Sequence, residues 1–290
     1  MIDSSPARFR VLALTALLLA PLGACSSTPS ENGPDQSAEA PEAGQLLRIA
    51  DATAAGGDFL TAAGLYRRAH EQDPDDPAPL ARLGDLQTRL GETEAAINSY
   101  KAAITRDPDN TALATKTAKA LIKQGDAAEA RDLLEAARGG ENEDPALLNL
   151  YGVTLDLLGQ HKDAWPVYEA GLKITPDDSA LNNNYSLSLA LGGAYREAVV
   201  RLLALSDLAG ATVRHRQNLA LVYGLQGDEE KAERLIRLDL PEAAVERNLR
   251  LYRELRSMPE GERSQAVLRA AGAIPISPPM KPTVPDAPES

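Results

Sequence analysis

A single cysteine in 290 residues excludes a disulfide framework and any cysteine-cluster metal site, since either needs a second thiol. Histidine is scarce as well: His70, His161 and His215 stand far apart with no second ligand at metal-binding spacing, and they read as surface residues. Positive charge is in deficit. The net charge of -12 is spread along the chain, so a phosphate backbone would meet repulsion and nucleic acid is excluded as a partner. No GxSxG elbow, phosphate-binding GxxxxGK[ST] loop or HExxH helix follows the N-terminal segment. Paired carboxylates such as Asp75-Asp76 and Glu229-Glu230 fall at turns and helix starts, where they cap backbone amides and suit the helix dipole. A content of 43% hydrophobic residues is nevertheless enough for a folded body of one or two domains.

Long hydrophobic runs are also missing, with one short exception. Residues 11–20 read VLALTALLLA behind Arg8 and Arg10. As a helix this run is roughly 15 Å long, half of what a bilayer core needs. It reads as an export signal over residues 1–24, closing in Leu22-Gly23-Ala24-Cys25. That tetrad resembles a lipobox, and the lone cysteine occupies its last position. The expected product carries diacylglycerol and an N-acyl chain on Cys25, needs no other cofactor, and meets the membrane only through this anchor. By resemblance to Gram-negative lipoproteins, Ser26 after the cysteine implies the periplasmic face of the outer membrane. Residues 25–42 are polar, contain proline and lack periodicity, and read as a lipidated N-terminus with a flexible tether.

The middle of the chain is periodic. Gly57, Gly91, Gly125, Gly159, Gly193 and Gly227 lie 34 residues apart, and Ala62, Ala96, Ala130, Ala164, Ala198 and Ala232 follow each by five. A glycine at that spacing ends one helix in the left-handed region, and the alanine permits close crossing of the next. Four residues further stand Tyr66, Tyr100, Leu134, Tyr168, Leu202 and Ile236, bulky enough to fill the seam between neighbouring hairpins. Asp76, Asn110, Asp144, Asp178 and Thr212 keep the same period as helix N-caps. The pattern resembles the tetratricopeptide repeat. It predicts an all-α solenoid of about six helical hairpins, at 43–76, 77–110, 111–144, 145–178, 179–212 and 213–246. A capping helix is expected over 241–257, carrying Val245, Leu249, Leu251, Tyr252 and Leu255. Residues 258–290 read as a mobile proline-rich tail, with a short amphipathic turn or two at 264–271 and six prolines within 275–288. Repeats and cap leave no room for a catalytic domain, so the chain reads as no enzyme.

The resemblance implies that the first helix of each repeat lines a concave groove. Position 5 of the later repeats is Asn149, Asn183 and Gln217, and position 9 is Val153, Leu187 and Leu221. In the earlier repeats position 9 is Asp51, Asp85 and Lys119, so the groove passes from charged to amide-and-aliphatic. A row of amides can hydrogen-bond a peptide backbone while the aliphatic stripe takes its side chains. The alternative is that these leucines pack on the capping helix or the next repeat and never meet a ligand.

Lipobox, polar tether and tetratricopeptide repeats together resemble the lipoprotein of the tight-adherence (Tad, or Flp) pilus assembly system. The segments Asn183 to Val199, Arg216 to Leu235 and Asp239 to Leu255 carry the likeness most specifically. It implies a pilotin-like scaffold whose protein partner is the outer-membrane secretin or another pilus assembly component. The rival expectation is an adaptor for cell-wall hydrolases or for outer-membrane protein assembly.

Overall fold

A computed structural model describes residues 42–139, 144–206 and 212–273. The expected export signal, Cys25, nearly all of the expected tether and the proline-rich stretch 274–290 lie outside the described residues. Those residues form fourteen α-helices. The six hairpins are α1 (Ala43–Ala55) with α2 (Phe59–Gln72), α3 (Ala78–Leu90) with α4 (Thr93–Ile104), α5 (Thr111–Gln124) with α6 (Ala127–Ala137), α7 (Pro145–Leu157) with α8 (His161–Ile174), α9 (Ser179–Leu191) with α10 (Tyr195–Ser206), and α11 (Val213–Gln226) with α12 (Glu229–Ile236). Two helices follow, α13 (Glu242–Ser257) and α14 (Glu260–Ala270). The protein is thus an all-α repeat solenoid among its described residues.

The same few residues build each hairpin. All six period-34 glycines take positive φ, from +75° at Gly159 to +106° at Gly125, and so close the first helix with a turn that a Cβ would strain. The alanines five residues later are fully buried at the helix crossing. The bulky residues four further on are buried in the seams, none more than 4% exposed. At Gly84 and Gly152 the constraint is contact. A Cβ there would come within 2.6 Å of the Tyr100 ring and 2.5 Å of the Tyr168 ring, so each glycine lets a tyrosine of its own hairpin lie flat on the helix. Asn110, Asp144 and Asp178 cap their helices by accepting from backbone N–H groups at 2.9 to 3.0 Å, whereas Asp76, expected as a cap, stands one residue ahead of the Pro77 cap and accepts from the Ala78 N–H at 2.9 Å. At Thr212 the cap is a box, in which its own N–H donates to Nδ1 of His215 at 3.3 Å. Burial lowers the His215 pKa, with Arg214 adding to the effect, which suits a neutral acceptor ring.

Successive first helices touch one another, α1 with α3, α5 with α7, α7 with α9 and α9 with α11, whereas no pair of successive second helices comes as close. The stack therefore bends towards its first helices, which line the concave side. Three apolar clusters run along it. Repeat 1 and the start of repeat 2 share a small one around Leu83 and Leu86, and a second small one lies around Tyr100 and Leu113. A large one runs from Ile97 through repeats 3 to 6 into α13 and α14.

α13 caps the last repeat as its apolar spacing predicts. Val245, Tyr252 and Leu255 are buried, and the Tyr252 ring lies where a Cβ on Gly224 would stand 2.5 Å away. The end of the chain departs from expectation. Of the stretch 258–290 expected to be a mobile tail, residues 260–270 form α14, which packs back on α7. The reason is the stripe Ser264, Val267, Leu268 and Ala271, three, four and seven residues apart, all buried.

Candidate functional site: the concave face of repeats 4 to 6

The residues expected to line the groove do converge on the inner helices, but they are covered. Val153, Leu187 and Leu221 are 2%, 0% and 3% exposed and belong to the same apolar cluster as Val267 and Leu268 of α14 and Ala271 just after it. α14 lands at Ser264 against His161, on the rim where α7 gives way to α8, and ends with Gly272 beside the Arg214 guanidinium at the start of α11. It thereby packs on α7 and reaches from the α7–α8 rim to the start of α11. The alternative of packing rather than open presentation describes these leucines, and α14 is the element that sequence reasoning did not place there.

The amides form a ladder with one another. Asn184 donates to Asn149 at 2.9 Å and Asn218 donates to Asn183 at 2.8 Å, each bridging adjacent repeats, and Asn183 lies 3.5 Å from Asn184. Asn183 and Asn218 are 5% and 3% exposed, while Asn149 and Gln217 are half-buried. These amides hold the repeats in register, because a buried amide left unpaired would be costly.

Beside the ladder sits a buried polar node. Asp156, with no exposed surface, accepts from Tyr168 Oη at 2.8 Å and Ser188 Oγ at 2.7 Å, and its Oδ1 lies 2.8 Å from His161 Nδ1. Burial pushes its carboxyl above the usual range, against the pull of those hydrogen bonds. His161 Nε2 lies 3.0 Å from Ser264 Oγ, 103 residues further along the chain. His161 is therefore a core residue, 3% exposed, and the surface reading of it is corrected; His215, at 8%, is corrected likewise. Asp156, His161 and Ser264 stand in the order of a hydrolytic triad. Ser264, however, is fully buried, and its Oγ also donates to the Glu260 carbonyl at 3.0 Å. No substrate reaches it while α14 is in place, so the line of bonds is a fastening.

The concave side of repeats 1 to 3 is open and charged. Tyr66 and Tyr100 donate to Asp51 and Asp85 at 2.8 Å, a contact repeated with the period of the chain. Burial, then Asp51, pushes the Tyr66 hydroxyl up to about 12. Lys116 pairs with Asp85 at 2.7 Å on the wall of a cavity of about 420 Å³, which Arg89 and Lys119 also line.

The model of the tetratricopeptide repeat matches residues 43–209, more than half of the chain. This chain belongs to the tetratricopeptide repeat family. No curated protein sequence matches it. Among solved structures it is similar to PilW, a widely conserved type IV pilus biogenesis factor, at 15% identity and a TM-score of 0.54, over 69% of this chain and 94% of PilW. It is similar to PilF of Pseudomonas aeruginosa at 18% identity and a TM-score of 0.53, over 77% of this chain and 96% of the other. A tetratricopeptide repeat protein from Parabacteroides merdae matches at 14% identity and a TM-score of 0.52, over 72% and 84%. Such identities establish the shared solenoid, and a tetratricopeptide solenoid is a scaffold for protein–protein interaction.

Proposed function

We propose that this tetratricopeptide scaffold is a pilotin-like lipoprotein of a tight-adherence pilus system. Acyl chains on Cys25 hold it at the periplasmic face of the outer membrane, and the stack holds a protein partner, the secretin through which the pilus leaves. The observation that carries this reading is the joining of a lipobox, Leu22-Gly23-Ala24-Cys25, to an interaction solenoid with no catalytic module between them. The shared fold with the pilus biogenesis factor PilW supports it. Covalent lipid at Cys25 is the only prosthetic group the reading requires, because multiple acyl chains hold a protein at a bilayer essentially permanently.

The open charged face of repeats 1 to 3 is the surface free to receive the partner first. Deletion of the gene should abolish secretin multimers in outer-membrane fractions and abolish piliation, and Cys25→Ala should release the protein from the membrane with the same loss. Normal multimers and normal piliation in the deletion strain would sink the reading.

A further inference from the structure

Two helices follow the last repeat, and they are attached in different ways. α13 is bolted on. Arg256 donates to the Gly224 carbonyl at 2.7 Å, Arg253 and Arg256 grip Glu229 at 2.8 and 2.7 Å, and the Tyr252 ring fills the space that Gly224 leaves. Among the described residues, one side-chain hydrogen bond joins α14 to the repeats, between Ser264 Oγ and His161 Nε2. The remaining attachment is apolar, through Val267, Leu268 and Ala271.

The seat of α14 is also imperfect. Arg263 Nε, next to Ser264, is buried without a hydrogen-bond partner. Buried polar atoms without partners are uncommon in a settled core, because each has given up water and received nothing. At eleven residues α14 is also shorter than the roughly 12 to 15 that an isolated helix needs in water. Its helicity depends on the groove.

We propose that the face of α7, α9 and α11 is a helix-docking groove held in cis by α14, and that an amphipathic helix of a protein partner, bearing the stripe of α14, displaces it. The stripe is a small residue, aliphatic residues three and four positions on, and a small residue at seven, as in Ser264, Val267, Leu268 and Ala271. The small first position lets the chain approach His161, and the aliphatic pair meets the cluster that holds Leu187 and Leu221. A tethered occupant acts as a competitor at high effective concentration, so it sets a threshold that only a better-fitting helix passes. The proposal rests on the adaptor reading for the existence of a partner and not for its identity.

The test uses the full chain in detergent and a fluorescent peptide of residues 258–273. Val267→Asp with Leu268→Asp in the chain dislodges α14, and peptide affinity should rise about tenfold or more over the wild type, as removal of a cis competitor demands. A peptide carrying the same two aspartates should not bind. Failure of the peptide to bind a double variant that keeps its helical circular dichroism would overturn the proposal. Should that variant unfold, hydrogen exchange on the wild type decides. Amides of α14 should exchange at least about tenfold faster than those of α9, through local opening, and equal rates would overturn the proposal. Dimerisation of the wild type that Leu268→Asp abolishes would put a second copy in the groove and overturn the choice of partner. Peptide binding in a protein whose deletion leaves secretin multimers intact would sink the pilus reading and leave this one standing.

Discussion

At the scale of single residues the fold is a set of local demands met six times. Gly84 shows how tight they are: its missing Cβ leaves room for the Tyr100 ring, whose hydroxyl then reaches Asp85. Gly84→Ala should cost about 1 to 3 kcal/mol through overpacking, read as a lower midpoint in urea denaturation, with the Tyr100→Leu background recovering part of the loss. A midpoint unchanged from the wild type would show that the ring shifts freely. Demands of this kind were legible in the sequence because each is settled within one hairpin and recurs every 34 residues. His161 was not legible. A lone histidine carries no spacing partner, and its burial depends on Asp156 in the preceding helix and on Ser264, which no periodic argument reaches.

Among elements, the two terminal helices show what amphipathic spacing can and cannot say. Val245, Tyr252 and Leu255 marked α13 as a cap because the last hairpin had an exposed seam waiting beside it. The stripe of α14 was visible too, but a short stripe behind a proline names no docking face, and the groove lay several helices away. Electrostatics favour α13. Arg253 and then Arg256 hold the Glu229 carboxyl down at about 2, against an ordinary value of 4.5. A depressed carboxyl contributes stability above its unfolded value and loses it as pH falls towards the folded one. The contribution should be full above about 4.5 and fade by about 2. Because Glu229 is a third exposed, solvent screening limits it to about 1 kcal/mol or less. Glu229→Gln should therefore lower the thermal midpoint slightly at neutral pH, less so at high salt, and the gap from the wild type should close in acid. A gap that persists at low pH would assign the effect to packing.

Taken whole, the solenoid is uneven. Repeats 1 and 2 rest on two small apolar clusters, while repeats 3 to 6 share a continuous one with α13 and α14. In a stack whose units touch only their neighbours, cohesion is a sum of local terms, so the two halves should part company under stress. Native-state hydrogen exchange should show amides of α1 to α4 opening at least about tenfold faster than those of α7 to α11, and uniform protection would contradict this division. The return of α14 also sets where the described residues stop. Gly272 stands by Arg214, so the described chain ends beside the start of α11 and not beside α13. A reporter fused directly after Ala273 would therefore start next to the first helix of repeat 6, close enough to sense whether α14 is seated.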